Sequence, residues 1–304
     1  MSDFVAITFS GLALGAIYFL VASGLSLIYG LMGVLNFAHG AYLTVGAYAA
    51  WLIATSTPAA WGLPARFAIG VVAGVAVGAV VGGLTEVLLI RPLYGRHVAQ
   101  ILVTVGLDLV LVALIMGGFG GNSQTLPVPG WLTSAARLGP ELLPHSEFVA
   151  IGAGLAVLMG LAWFLRHTRY GLIVRAGVEN REMVQALGID VGRAFTLIFL
   201  LGGALAGLAG VLNAVVFSGS LVFPTQGDQL LIFAFIVVVI GGLGSLSGSA
   251  VAAVLVGLVQ DYVNFYAGNQ AGLAELGNLS VVLLLAVILQ LRPQGLFGQR
   301  VLFP

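Results

Sequence analysis

The chain has no cysteine, no lysine and very little charge of any kind. Lack of cysteine excludes disulfides, thiolate metal sites and thiol nucleophiles. Lack of lysine excludes an ordinary phosphate-binding loop, whose lysine must reach the nucleotide phosphates. Any ATP that drives this protein must therefore be bound by another subunit. Charged residues make up 7% of the 304, against about 25% in a soluble domain. Apolar residues take their place: 60% are hydrophobic. One core of this size cannot hide that much apolar surface. Runs of about 20 apolar residues recur, the length that crosses ~30 Å of hydrocarbon. The expected fold class is all-α, a polytopic helical membrane protein with a single transmembrane domain over residues 1–304. No His/Asp/Glu group has metal-ligand spacing, so no metal or cofactor is expected in this chain.

The opening "MSDFVAITFSGLALG" has no basic region before its apolar run, which argues against a cleaved signal peptide. Hydropathy places spans near 5–30, 38–55, 67–90, 98–117, 148–165, 194–217, 229–245, 249–267 and 276–291. The count is eight or nine, depending on whether "VLNFAHGAYLTVGAY", residues 34–48, ends one span or breaks it. Alternating the spans puts Arg91, Arg96, Arg166, Arg169, Arg175, Arg181, Arg193, Arg292 and Arg300 on one side, and only Arg66 and Arg137 on the other. The positive-inside rule makes the arginine-rich side cytoplasmic, with the N-terminus outside and the C-terminus inside. This orientation leaves two long loops, an external one over about 118–147, rich in glycine and proline, and a cytoplasmic one over about 166–193.

In lipid, helices gain little from hiding apolar surface, and small residues that allow close approach take over. Gly70, Gly74, Gly78 and Gly82 recur every four residues and form a flat packing stripe on the third span. Gly203, Gly207 and Gly210 form a shorter one. The first and sixth spans share this glycine-rich texture, without an alignment that establishes an inverted repeat. Glu86 extends the third-span stripe by one turn, while Asp108 and Asp261 fall inside later spans. Carboxylates at such depth are costly and are functional candidates by default, as ion or proton relays or as groups capped by neighbouring helices.

Catalysis finds little support. Ser245, Ser247 and Ser249 in "GGLGSLSGS" have no histidine beside them, and that stretch reads as a break between spans. Asp108 and Asp228 could face each other as in an intramembrane aspartyl protease, but no supporting motif surrounds them.

The cytoplasmic loop contains a two-turn helix with readable ends. Asn180 suits its N-cap, Glu182 the positive end of its dipole, and Gly188 the left-handed residue that stops it. Met183, Val184 and Leu187 form an apolar edge. Such a helix either fits a groove on another protein or lies in the lipid interface, and the missing phosphate loop favours the groove.

Residues 178–189, "VENREMVQALGI", resemble the cytoplasmic coupling segment of ABC-transporter permeases, with Ala186, Gly188 and Ile189 matching the branched-chain amino acid type. "GLALGAIYFLVASGLSLIYGLMGVLNFAHGAYLTVGAYAA", residues 11–50, resembles the opening of that family's H-type subunit. "VVIGGLGSLSGSAVAAVLVG" and "LRPQGLFG" resemble its late glycine-rich segment and its tail. The coupling loop and tail depart from the family's usual lysine–arginine mix by being all arginine, which retains the charge.

The resemblance implies a multi-pass permease of a bacterial inner membrane with no ATPase site of its own. Its partners would be a second permease subunit, two cytoplasmic ATPases that bind ATP and Mg, and an external substrate-binding protein; nucleic acid is not expected. The residues implied to couple ATP hydrolysis to transport are Glu179, Asn180, Arg181, Glu182, Met183, Val184, Ala186, Leu187, Gly188 and Ile189. Asn36, Phe37, His39 and Gly40 are expected along the translocation pathway, where His39 either hydrogen-bonds a passing zwitterion or braces the helix break. The family carries leucine, isoleucine, valine and related amino acids, and close or distant branches carry urea, short amides or sugars. An ion-coupled secondary transporter using the buried carboxylates is the reading from a different class.

Overall fold

The computed structural model describes residues 2–33, 35–138, 141–186, 191–271 and 276–298. It is helical almost throughout: α1 (Ser2–Met32), α2 (His39–Ser56), α3 (Gly62–Thr85), α4 (His97–Phe119), a four-residue α5 (Gly130–Thr133), α6 (His145–His167), α7 (Arg169–Ala186), α8 (Val191–Val216), α9 (Gln226–Gly241), α10 (Leu246–Ala271) and α11 (Leu276–Leu291). Each of the nine apolar stretches in the sequence becomes one helix. Among the described residues, six helical stretches are long and apolar enough to cross a membrane, while α9 and α11 are apolar but only 16 residues each. The protein is a polytopic helical membrane protein. Its exposed side chains include Val72, Leu84, Leu102, Leu109, Leu155 and Met159 on α3, α4 and α6, which suits a lipid or protein surround and not water.

The prolines of the 118–147 loop keep it irregular. Besides α5 it forms a hairpin, β2 (Ala135–Leu138) with β3 (Glu141–Pro144). A two-residue strand β1 (Gln124–Thr125) pairs with β4 (Leu221–Val222) after α8. At the opposite end, the last turns of α1, the first turns of α8 and part of α7 share one buried cluster containing Leu31, Met32, Val174, Val184, Val191 and Phe195. Arg91, Arg166, Arg169 and Arg193 sit at helix ends around this cluster.

The helices obey an internal two-fold relation that the sequence concealed. α3 packs along α8, and α10 packs along α1, as the two most extensive seams. α2 touches α3, α4 and α8; α9 touches α10, α11 and α1. Exchanging α1 with α8, α2 with α9, α3 with α10 and α4 with α11 therefore maps each of these contacts onto another, although the extensive α10–α11 contact has at most a slight equivalent between α3 and α4. The end of α1 meets the start of α8, so the exchanged helices run in opposite directions. The two halves thus relate as an inverted repeat, an arrangement common in transporters.

Glycine makes these seams. A Cβ built on Gly78 or Gly82 would overlap the carbonyl oxygen of Gly203 or Phe199 on α8. Gly74 and Gly70 turn to α2, where a Cβ would stand 2.6 Å from the Gly46 oxygen and 2.7 Å from the Ala50 oxygen. In the other seam a Cβ on Gly15 would stand 2.8 Å from the Ala253 oxygen, and one on Gly257 would overlap Gly11.

Candidate translocation core and coupling surface

α2 does not begin where α1 ends. Gly33, at φ +66°, ends α1, with its amide donating to the Tyr29 oxygen at 2.7 Å. The chain then folds back along α1. His39 Nε2 donates to the Val21 carbonyl at 3.2 Å, eleven residues (32 − 21) before the end of α1, which is about 16 Å of helix. The imidazole also lies against Gly24 of α1 and Gly202 near the middle of α8. α2 is thus a half-helix that starts deep inside the molecule, which is tolerated because protein, not lipid, surrounds its first residues.

Its two-fold counterpart, α9, starts at the same place. A Cβ on Gly40 would stand 3.0 Å from the Gly227 oxygen, and the Gly227 amide donates to Thr44 Oγ1 at 3.1 Å. Phe37 stacks on Phe235 of α9, with ring centres 6.0 Å apart. The Phe37 amide donates to Thr104 Oγ1 on α4 at 3.3 Å, and Asn36 Nδ2 to the Tyr42 hydroxyl at 3.2 Å. Two helix N-termini, each with the positive end of its dipole, therefore meet inside the bundle. Asp108 on α4 caps one of them, accepting from the Ala41 amide at 3.0 Å. Asp228 lies in the first turn of α9, with its carboxyl close to that of Asp108.

The structure brings Asn36, Phe37, His39 and Gly40 together at this joint. Asn36 and His39 are buried to within 1%; Gly40 is buried too, and Phe37 only partly. Asp108 and Asp228, beside them, keep partial exposure. The two aspartates do face each other, but one carboxylate oxygen is engaged by the α2 backbone, an arrangement that serves helix capping. Sequence reasoning missed Thr44, Thr104 and Gly227. For Gly227, the polar run "TQGDQ" after Pro224 was an available signal of a buried helix start.

The coupling segment differs from its expected form. α7 runs from Arg169 to Ala186, so Asn180 lies inside it and is no N-cap. The cap is Thr168, twelve residues earlier, whose Oγ1 accepts from the Gly171 amide at 2.9 Å. No proline interrupts the run after it, so the local signal at Asn180 yields to helix continuity. Glu179, Arg181, Glu182 and Ala186 also lie within α7; Leu187, Gly188 and Ile189 lie outside the described residues. Met183 is 61% exposed, while Val184 turns into the cluster with Leu31 and Phe195. The apolar edge is thus split between an outward and an inward residue. Gly171 and Gly177 let α7 lie against the end of α6 and Leu31 of α1.

A family model described as the permease component of the branched-chain amino acid transport system matches residues 7–291. The chain belongs to this family. It is similar to the high-affinity branched-chain amino acid transport system permease protein BraD of Pseudomonas aeruginosa, at 28% identity covering 95% of this chain and 94% of that one. LivH of Escherichia coli, a permease protein of the same kind of system, is 25% identical over 96% of this chain and 94% of its own. The ribose import permease protein RbsC of the same organism is similar over less, 77% of this chain and 72% of its own, at 25% identity. A branched-chain permease component spanning both halves of the inverted repeat accounts for why the match runs unbroken from α1 to the end of α11.

Proposed function

We propose that this chain is the H-type permease subunit of an ABC importer in a bacterial plasma membrane, carrying branched-chain or closely related amino acids. The carrying observation is the near full-length match to branched-chain permease relatives, against shorter coverage of sugar permeases. The arginine-rich end would face the cytoplasm. There α7 and the segment after it would receive two ATPase subunits that bind ATP and Mg, and a second, related permease would complete the pathway. The external hairpin and α5 lie at the end where a substrate-binding protein would deliver its load. The chain itself performs no hydrolysis; its part is to open a passage to alternate sides.

The joint of α2 and α9 supplies what such a passage needs. Half-helix ends placed at depth present backbone dipoles and polar groups without exposing irregular backbone to lipid. His39, held by Val21 and packed against two glycines, serves as the brace of that joint.

Reconstitution with the second permease, the ATPases and the binding protein tests the reading, with leucine, urea and ribose supplied side by side. Leucine uptake that needs ATP and survives an uncoupler is the expected result. Uptake that persists without the ATPases sinks the importer assignment, and preference for urea or ribose sinks the amino-acid one.

A further inference from the structure

Glu86 has no exposed surface, yet it places a carboxyl group at the end of a helix whose packing face is glycine. It extends the Gly78–Gly82 face by one turn and so points at α8. Thr196 of α8 donates to its Oε2 at 2.6 Å, and Arg91 Nη2 donates to the same oxygen at 3.3 Å. The Tyr94 hydroxyl donates to Oε1. Arg91 also donates to Thr196 at 2.9 Å, and the Tyr94 ring stands edge-on to Phe195, with centres 5.2 Å apart. Side chains from both sides of the α3–α8 seam thus close on one carboxylate.

Two features set this cluster apart from an ordinary packing contact. The first is its place. α8 starts at Val191, soon after the end of α7, and Thr196 is only five residues on; Val191 and Phe195 share a buried cluster with Val184 of α7. The second is the backbone beneath it. Residues Glu86–Ile90 form a π turn, in which the Arg91 amide donates to the Glu86 carbonyl five residues back. The Glu86 amide is shared between the Gly82 and Gly83 oxygens. A π turn holds one residue more than an α turn and is often found at functional positions. Re-registering it to α would rotate residues 91–94 by about 100° around the axis, carrying Arg91 and Tyr94 off the carboxylate. The cluster therefore rests on a turn whose change of register would open it, the kind of discrete rearrangement that can carry coupling between distant sites. A merely structural ion pair would be a poor use of a buried charge, since such pairs add little net stability.

We propose that Glu86 is a positioning residue for energy coupling, the link through which displacement of α7 and the start of α8 reaches α3 and its glycine seam. This rests on the reading that the arginine-rich end meets the ATPases. The π register with the cluster closed is one state, and the opened cluster is the other.

The test uses the whole reconstituted transporter and reads leucine transported per ATP hydrolysed, together with stimulation of ATPase by loaded binding protein. Thr196→Val removes one donor and keeps the side-chain volume. It is expected to assemble in normal amount with a wild-type melting temperature and basal hydrolysis within twofold, while stimulation and uptake fall about tenfold. Thr196→Ser is expected to restore both. Glu86→Gln should show the same split where it folds. A Thr196→Val complex with unchanged transport per ATP overturns the proposal, and so does a loss that tracks the melting temperature and is not rescued by serine. A wild-type complex that carries no leucine overturns instead the substrate reading on which this one stands.

Discussion

The two long seams of the molecule, α3 against α8 and α10 against α1, are equivalents under the inverted repeat, and they are fastened differently. Each begins with glycine faces whose backbones touch, and each places a polar residue where the glycines end. In α3 this residue is Glu86, four residues after Gly82; in α10 it is Gln260, three after Gly257. The bonds made at Gln260 are neutral, with the Asp261 carboxyl beside it turned to Ser10 of α1 and Glu147 of α6. The Tyr18 hydroxyl donates to Gln260 Oε1 at 2.7 Å, Gln260 Nε2 donates to Asn278 at 2.8 Å, and Thr8 and Tyr262 share a bond of 2.8 Å. The α3 fastening is ionic and sits on a π turn. Hydrogen bonds between neutral groups give a fixed joint at modest cost. A carboxylate shared among three donors above a turn of variable register gives a joint that can change hands. The repeat supplied the same seam twice, and only the copy beside α7 has the second kind of fastening.

The glycine contacts are the most severe way to break the comparison. Gly203→Leu places a side chain into the Gly78 carbonyl, and Gly257→Leu does the same against Gly11. Backbone on both sides leaves no flexible group to yield, so each variant is expected to lose more than about 3 kcal/mol, the upper end for overpacking. Size-exclusion profiles of detergent-solubilised protein should show loss of the monodisperse species for both. Tolerance of one and not the other would mean that the seams are not structural equivalents.

A smaller change separates the fastenings. Gln260→Leu leaves the Tyr18 hydroxyl, and the partner of Gln260 on Asn278, without that bond. The orphaned buried hydroxyl costs on the order of 1–3 kcal/mol, seen as a lower melting temperature with transport per ATP unchanged. Adding Tyr18→Phe should recover part of the loss, because removing both partners is cheaper than removing one. Uncoupling by Gln260→Leu would erase the distinction drawn between the two seams.

Asp108→Ala tests the joint at the half-helices. It removes the carboxylate that accepts from the Ala41 amide, an N-cap loss of roughly 1 kcal/mol, and Asp108→Asn should restore most of that stability. Melting curves of the three proteins give the order directly.

Much of this architecture was legible in the sequence. Helix positions came from apolar length, and the α3 stripe from four-residue spacing, because period and run length are written locally. Depth is not. A six-residue return such as 33–38 has the same composition whether it lies at the surface or carries His39 about a third of the way back along α1. The two-fold relation was hidden for a related reason: the faces that correspond carry different numbers of glycines, Gly78 and Gly82 on α3 against Gly257 on α10. Asn180 misled because a good cap residue marks a helix start only when no helix already runs through it.

The mildest prediction concerns the glycines that no seam explains. Gly106 of α4 has nothing within 4 Å of a built Cβ, unlike Gly78 or Gly203. Gly106→Ala therefore meets no neighbour in this chain, and alanine's higher helix propensity should add about 0.5–1 kcal/mol. A slightly raised melting temperature in the isolated subunit is the expected result. The same variant then probes what covers α4 in the assembled transporter: a gain in the isolated chain that becomes a loss in the complex places the second permease against Gly106, and an unchanged gain places lipid there.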